Sequence, residues 1–247
     1  MQKSLYEDYR LQEETHWWFI GRYKIFSRLL KHKTIPQKNA RALDIGCGTG
    51  YLTTLVAKIS DSVYCVEMAD EMIEILKRRI KNVHIIKGLW TDVAVNQTFK
   101  LVTLFDSLEH IEDDKEALKK IESVLEPGGL VIITVPAYQF LWSEHDDVNL
   151  HKRRYTKKLM RTTIEASTGL TILRLSYFNT IFFIPIALIR LTKKAFGVRT
   201  GESDIIAMPP ILNNMMAWLF GLEGKLLPWL NFPFGTSLLC IAQKNPR

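Results

Sequence analysis

Between residues 40 and 136, apolar segments alternate with amphipathic segments, and this alternation limits the possible folds more than any other feature. The apolar segments have the composition of strands: ARALDIG, SVYCVEM, VHIIKG, KLVTLFDSL and LVIITVP. The segments between them, such as DEMIEILKRRI and DKEALKKIESVL, place apolar residues on one helical face. Because strands joined through helices pair in parallel and are covered on both faces, the sequence predicts an α/β fold with a parallel sheet.

The first strand ends in a glycine-rich turn, LDIGCGTGYL, which is typical of nucleotide-binding folds. Asp44 ends the strand, and Gly46, Gly48 and Gly50 follow it directly before the next helix. Glycine lets a ligand approach the backbone closely, and the N–H groups at a helix N-terminus attract its polar groups. The spacing G-x-G-x-G is one residue shorter than the dinucleotide fingerprint. The nearby acid disfavours a pyrophosphate and favours a ligand with an amino group.

Several motifs together resemble a known family. LDIGCGTG is similar to motif I of the class I S-adenosylmethionine-dependent methyltransferases, and FDSLEHIEDDKEAL and LEPGGLVIITVP resemble the fourth- and fifth-strand regions of that family. HWWFIGR near the start and HKRRY after the fifth strand resemble a bacterial group of small methyltransferases within this class. The resemblance implies a Rossmann-like seven-stranded sheet, with LTILRLSYF and SLLCIAQK as the last two strands. It also implies S-adenosylmethionine as the cofactor.

The resemblance further implies which residues hold the cofactor. Glu67, at the end of the second strand, would bind both ribose hydroxyls. Arg22 would pair with the methionine carboxylate, and Trp17, Trp18 and Phe19 would shield the sulfonium from water. The alternative is an ordinary amphipathic helix with its aromatic face buried. The full set of expected cofactor residues is Asp44, Gly46, Gly48, Gly50, Glu67, Met68, Asp106, Ser107, Arg22 and Trp17.

The methyl acceptor is expected after strands four and five, because ligands of open α/β sheets bind beyond the carboxyl ends of the strands. Histidine suits the removal of a hydroxyl proton, since its pKa is near neutrality. His145 and His110 are therefore the candidate bases, with Asp146 orienting an imidazole; the alternative for His110 is that it only closes a strand-to-helix turn. The candidates for substrate binding are Tyr138, Trp142, His151, Arg153 and Arg154. No metal is predicted, because nothing in the sequence requires several ligands to converge.

Four segments are predicted along the chain. Residues 1–39 form an N-terminal helical cap, residues 40–177 the cofactor-binding core, and residues 236–247 the final strand of that core. Residues 178–235 form an apolar helical insertion between the last two strands, far longer than a hairpin loop requires. Its large apolar residues, edged by lysine and arginine, suit a packed core, a lid over a hydrophobic substrate, or contact with a membrane surface.

The charge of the chain bears on its partners. A net charge of +7 and a pI of about 9.2 suit an anionic partner, and the cluster HKRRYTKK could hold phosphates or form a solvated helix face. No nucleic-acid recognition motif accompanies the cluster. FDSL stands where amino-methylating nucleic-acid enzymes carry a proline–aromatic tetrapeptide. A nucleic-acid partner is therefore not expected.

The leading interpretation is methyl transfer to a hydroxyl or carboxyl of a small or lipid-linked acceptor, as in glycan or lipid biosynthesis. The alternatives are a nucleic-acid methyltransferase and a non-catalytic partner subunit that binds S-adenosylmethionine. Three cysteines without a disulfide framework and a polar start predict a cytoplasmic location. The longest apolar run, FNTIFFIPIALIRL, is short for a membrane span, which leaves peripheral contact with the inner membrane face as an option. The oligomeric state stays open.

Overall fold

The computed structural model describes residues 10–32, 34–36, 40–198 and 208–246, and this part of the chain builds one seven-stranded sheet. The strand order is β3-β2-β1-β4-β5-β7-β6. The strands are β1 (Arg41–Ile45), β2 (Ser62–Glu67), β3 (Val83–Lys87), β4 (Phe99–Phe105), β5 (Leu125–Pro136), β6 (Thr171–Phe178) and β7 (Ser237–Gln243). Neighbours among β1 to β5 pair in parallel, whereas β7 is antiparallel to β5 and β6. The predicted Rossmann-like seven-stranded sheet is confirmed.

Some of the helices begin at a residue whose side chain caps the free backbone N–H groups. The described helices are α1 (Trp17–Leu29), α2 (Thr53–Ala57), α3 (Asp70–Arg79), α4 (Asp114–Val124), α5 (Glu144–Val148), α6 (Lys157–Ser167), α7 (Phe183–Ala195) and α8 (Pro210–Leu226). Asp113 caps α4 by accepting the Glu116 N–H at 2.9 Å, and Thr156 caps α6 by accepting the Leu159 N–H at 3.1 Å. Residues 10–15 are helical as well and lead into α1.

Two apolar layers cover the sheet, as expected when successive side chains of a strand point to opposite faces. In β5, Val131 and Ile133 belong to one layer, which α4 and α6 complete. Leu130 and Ile132 belong to the other layer, which contains residues of α1, α3 and α8. Both faces of the sheet are therefore covered by apolar side chains, and the polar residues of the candidate site lie at the ends of the strands.

The helix α8 of the insertion packs directly on the N-terminal helix α1. A Cβ on Gly21 would overlap the Phe220 ring, so only glycine permits this approach. The Trp17 N–H donates to Asn213 Oδ1 at 2.7 Å across the same interface. In α7, by contrast, only Ala187 is buried. The insertion therefore combines a core helix with a largely exposed one.

Glu223 of α8 ties the insertion to the end of β6. Its carboxylate accepts the backbone N–H groups of Asn179 at 2.7 Å, Thr180 at 2.7 Å and Ile181 at 3.0 Å. Glu223 is only 3% exposed, and burial raises the pKa of its carboxyl. None of the helices in the described ranges combines the length and apolar character needed to cross a membrane.

The sheet topology creates a crevice where β1 has β2 on one side and β4 on the other. The connections leave β1 in opposite directions at this point, so the loops after β1 and β4 diverge and leave room for a ligand. The glycine turn follows β1, Glu67 ends β2, and Asp106 follows β4. The expected cofactor residues of the core therefore gather at one edge of the sheet.

Candidate active site

The glycine turn presents bare backbone to the crevice and is held in place by Glu67. Gly48 and Gly50 have positive φ angles of 55° and 78°, and a Cβ on Gly48 would meet no atom within 4 Å. The Glu67 carboxylate accepts the N–H groups of Gly48 at 2.9 Å, Met68 at 2.8 Å and Ala69 at 2.9 Å. A carboxylate has about four acceptor positions. Glu67 can therefore hold the turn and still accept a ribose hydroxyl.

Asp44 lies beneath the turn rather than facing the crevice. Its two carboxylate oxygens accept hydrogen bonds from Thr53 Oγ1 at 2.6 Å and Thr103 Oγ1 at 2.7 Å. Burial raises the pKa of Asp44 to about 6. On the crevice side, the Ser107 hydroxyl lies against Gly46, where a Cβ would overlap it. The turn is thus fixed from below by Asp44 and bordered by Ser107.

An ion pair forms the floor of the crevice. The Arg22 guanidinium pairs with Asp106 Oδ2, and its Nη2 donates to Thr134 Oγ1 at 3.2 Å. Thr134 Oγ1 donates in turn to Asp106 Oδ1 at 3.2 Å. Asp106 has a φ of 55°, a conformation that non-glycine residues rarely adopt and that is common at functional sites. Arg22 Nε has no hydrogen-bond partner within the described residues.

The aromatic residue next to Arg22 is Trp18 rather than Trp17. The Trp18 ring lies 4.4 Å from the Arg22 guanidinium carbon. Trp17 instead packs edge-on against Phe182 at 4.8 Å and Phe220 at 5.9 Å, inside the interface with α8. Of the three aromatic residues expected to shield the sulfonium, Trp18 lies beside Arg22, whereas Trp17 lies in the apolar layer.

A contact over the glycine turn was not predicted from the sequence. Glu13 accepts hydrogen bonds from the Thr49 hydroxyl and from Arg79 Nη1, the latter at 2.9 Å. Glu14 pairs with Arg79 Nη2 at 3.0 Å. Glu13 is only 6% exposed. The segment before α1 therefore closes over the turn through two acids that have no motif of their own.

On the acceptor side, Asp146 organises the loop after β5. It accepts Arg154 Nε and Nη2 at 2.8 Å each, His151 Nδ1 at 2.8 Å and the Ser143 N–H at 2.8 Å. Burial alone would raise the pKa of Asp146, but the hydrogen bonds from His151 and Arg154 hold it well below its usual range. Asp146 therefore stays ionised and orients the imidazole of His151.

Three titratable side chains lie close together at this place: Glu109, His110 and His151, the last of which is bonded to Asp146. The rings of His110 and His151 are 4.7 Å apart, and a carboxylate oxygen of Glu109 lies within 4.8 Å of a nitrogen of each. Glu109 is fully buried, and burial raises the pKa of its carboxyl well above the usual range. His110 is exposed at the edge, yet desolvation and the neighbouring His151 lower its pKa to about 4.

The other predicted acceptor residues lie around this group with different partners. The His145 ring is 6.1 Å from that of His151. Tyr138 stacks on Tyr177 at 4.8 Å, and burial raises the pKa of its hydroxyl. The Trp142 indole N–H donates to Asp147 at 2.8 Å. The Trp142 hydrogen bond lies within the loop, and the Tyr138 ring packs against Tyr177 of β6.

The predicted substrate-binding arginines are occupied by intramolecular partners. Arg154 is buried and forms a two-bond pair with Asp146, and Arg153 pairs with Asp114 at 3.1 Å. The basic residues Lys152, Lys157 and Arg161 also bond within the chain. Substrate binding by the partly exposed Arg153 stays a prediction, whereas Arg154 is buried and its guanidinium group builds the loop.

Comparison with known proteins identifies the core. A family model described as a methyltransferase domain matches residues 43–133, which hold the glycine turn, Glu67 and His110. Residues 43–133 therefore carry the sequence pattern of a methyltransferase domain. S-adenosylmethionine is the cofactor of this fold family, so the predicted enzyme class and cofactor are confirmed at the level of the domain. Membership of the narrower bacterial group suggested by HWWFIGR stays a prediction.

Relatives with assigned names match the same region. They include ubiquinone biosynthesis O-methyltransferases from Xanthomonas campestris pv. campestris, 28% identical over 102 residues, and from Coxiella burnetii, 29% identical over 100 residues. Each match covers 38% of this chain and only 42% or 43% of the relative. The chain therefore matches less than half the length of these relatives.

Solved structures match over nearly the whole chain. The Haloferax volcanii protein in complex with the methyltransferase activator Trm112 has a TM-score of 0.65 at 15% identity, covering 98% of this chain and 97% of that one. An S-adenosylmethionine-dependent methyltransferase from Clostridium acetobutylicum has a TM-score of 0.58 at 14% identity, covering 90% and 92%. At these identities the similarity shows a shared fold.

Proposed function

We propose that this protein transfers a methyl group from S-adenosylmethionine to a hydroxyl group of a small or lipid-linked acceptor. The main support is the Asp146–His151 pair, which lies beside His110 beyond the ends of β4 and β5. A carboxyl acceptor is already ionised near neutral pH and needs no base. A hydroxyl must lose a proton, and an imidazole oriented by a carboxylate is suited to accept it. The matched O-methyltransferase relatives agree with a hydroxyl acceptor.

In this proposal the protein mainly positions two reactants. The acceptor oxygen approaches the donor methyl carbon opposite the sulfur, forms the O–C bond, and the C–S bond breaks to release S-adenosylhomocysteine. The hydroxyl proton passes to the imidazole of His151. Holding both partners in line supplies much of the acceleration. His110 stays neutral near pH 7, because its pKa is lowered to about 4, and it can donate a hydrogen bond to the oxygen.

The cofactor is proposed to lie along the glycine turn with its ribose at Glu67. The methionine end reaches the floor formed by Arg22 and Asp106. There the methionine carboxylate of the cofactor competes with Asp106 for the Arg22 guanidinium. The methionine ammonium group pairs with Asp106. Arg22 Nε, which lacks a partner within the described residues, offers one donor for this exchange.

The exposed faces of the insertion support an acceptor with an apolar tail at an anionic membrane surface. Helices α7 and α8 each leave apolar residues exposed at helical spacing: Ile184, Leu188 and Leu191, and Ile211, Met215 and Trp218. Lys193 and Lys194 lie in the last turn of α7, where they complement anionic headgroups. We place the action of the protein at the cytoplasmic face of a membrane.

The membrane part is tested by co-sedimentation with vesicles of neutral and anionic lipid. Binding to anionic vesicles is expected, with loss in Trp218→Glu and no change in Leu173→Glu, a control at an exposed residue of β6. Equal behaviour of the two variants would refute membrane contact through α8. It would leave the hydroxyl acceptor in place, because that proposal rests on the loop residues.

The catalytic part is tested with a labelled methyl donor and extracts of lipids and small molecules, followed by mass spectrometry. Methyl ethers are expected in the wild type, and His151→Gln is expected to lower turnover by about 100-fold or more. His84→Gln, an exposed residue stacked on Tyr64 of β2, is the control. Methyl esters instead of ethers would refute the hydroxyl acceptor.

Two other functions make different predictions. A non-catalytic partner subunit would bind S-adenosylhomocysteine and yield no methylated product with any extract. A nucleic-acid methyltransferase would label RNA or DNA. That alternative loses support from the basic cluster, because Arg153 and Arg154 are occupied by partners within the chain.

A further inference from the structure

We propose that Glu109, His110 and His151 bind a divalent transition-metal ion that holds the oxygen of the methyl acceptor. The inference rests on the proposed hydroxyl acceptor and adds a cofactor at the same place. The sequence alone predicts no metal, and the three residues come from two separate loops. Glu109 and His110 follow β4, whereas His151 follows α5.

The fold brings the three possible ligands together. One ligand atom from each side chain lies within 4.8 Å of the other two. With bonds of about 2.0–2.1 Å, the ligand atoms of a tetrahedral zinc site lie about 3.4 Å apart. The ligand atoms must therefore move closer together to bind an ion, and the exposed His110 ring has room to move. The Lys152 N–H donates to the Glu109 carbonyl at 2.8 Å and joins the two loops beside it.

Glu109 supplies an independent indication of a missing cation. Both carboxylate oxygens are buried and have no hydrogen-bond partner within the described residues. An unpartnered buried carboxyl is costly, and proteins normally satisfy it. The nearest cations are engaged elsewhere, Arg154 with Asp146 and Arg22 with Asp106. A bound metal ion would satisfy the group.

His151 is already arranged as a metal ligand. Its Nδ1 bonds to Asp146 at 2.8 Å, which leaves Nε2 as the coordinating atom. Metal-binding histidines commonly give their other nitrogen to a carboxylate in this way, which fixes the ring and strengthens the ligand. Asp146 is held by Arg154 and the Ser143 N–H, so it can maintain this orientation.

The ligand set defines the class of ion and its use. Two imidazole nitrogens and one carboxylate oxygen suit Zn²⁺, Mn²⁺ or Fe²⁺ and leave coordination positions open. An acceptor hydroxyl bound there loses its proton to water more readily, because the ion stabilises the oxyanion. The oxyanion then forms the O–C bond while the C–S bond breaks. In this extension of the proposal, His151 binds the metal ion instead of accepting the proton, and the ion activates the hydroxyl.

Metal binding is measured directly on the full chain. Protein stripped with a chelator is titrated with Zn²⁺ by calorimetry and with Mn²⁺ by electron paramagnetic resonance. One ion per chain is expected, with affinity lowered by more than the roughly 10- to 100-fold that the loss of an outer-shell partner costs, because His151→Gln and Glu109→Gln each remove a direct ligand. The controls are His84→Gln and Glu116→Gln, both at exposed residues, and they should bind like the wild type. His110→Ala changes an exposed residue, so it tests the site even if Glu109→Gln fails to fold.

Absence of binding, or binding unchanged in His110→Ala and His151→Gln, would overturn the metal site. Failure of the metal site and failure of the proposed function give different results. Metal-free protein that binds S-adenosylhomocysteine and forms methyl ethers at the wild-type rate would refute only the ion. Protein that binds the ion but never forms methyl ethers would refute the hydroxyl acceptor.

Discussion

Two glycines of the same turn should respond differently to alanine, because one faces the crevice and the other faces the core. At Gly48, φ is 55° and a Cβ meets no atom within 4 Å. The left-handed conformation alone costs alanine about 1–2 kcal/mol. In a domain of this size, that lowers the melting temperature by about 2–8 °C. The new methyl group would project into the space where the cofactor is proposed to lie.

At Gly50, φ is 78° and a Cβ would overlap Leu76 Cδ1. Overpacking adds about 1–3 kcal/mol to the backbone strain. Gly50→Ala should therefore lower the melting temperature by about 4–20 °C, more than Gly48→Ala.

Calorimetry with S-adenosylhomocysteine separates the two effects below both melting temperatures. We expect Gly48→Ala to lose about tenfold or more in affinity, since a clash of about 1.4 kcal/mol has this effect. The affinity of Gly50→Ala should stay within about threefold of that of the wild type, because the added methyl group clashes with Leu76 in the core and not with the cofactor. Wild-type affinity in Gly48→Ala, or greater loss in Gly50→Ala, would refute the proposed course of the cofactor.

Three further predictions concern stability. Because burial raises the pKa of Asp44 from 3.8 to about 6, the folded state holds this proton more tightly, so stability should fall by about 2 kcal/mol from about pH 4 to about pH 6. Urea denaturation should show this fall flattened in Asp44→Asn, and an unchanged slope would contradict it. Glu223→Ala leaves the N–H groups of residues 179–181 without their acceptor and should cost about 3 kcal/mol in the same assay; a loss below about 1 kcal/mol would argue against that role. Glu13→Gln weakens the contact with Arg79 and should speed hydrogen exchange in residues 10–15 roughly tenfold, whereas unchanged exchange would show that the contact does not hold the segment.

The sheet and the cofactor edge could be predicted from the sequence because their signals are local. The strand-turn-helix pattern around Gly46 fixes the position of the turn within ten residues. Alternating strands and helices then order the parallel core, since right-handed connections leave few arrangements. Glu67 and Asp106 follow from their positions at strand ends.

The parts that the sequence did not predict depend on contacts between distant residues. The Trp17 ring packs against Phe220 of α8, and its N–H donates to Asn213, 196 residues away. Glu13 reaches Thr49 across the cleft, and no local pattern distinguishes it from Glu14. Arg154 resembles a surface cation in the sequence, yet folding buries it against Asp146.

The most direct test is a calorimetric titration of the purified chain with S-adenosylhomocysteine, alongside Glu67→Ala. The wild type should bind one molecule per chain, and Glu67→Ala should bind much more weakly, because it loses both the ribose contact and the acceptor of the Gly48 N–H. No heat in the wild type, confirmed by absent binding in equilibrium dialysis, would contradict the account. Equal affinity in Glu67→Ala would show that the nucleoside lies elsewhere.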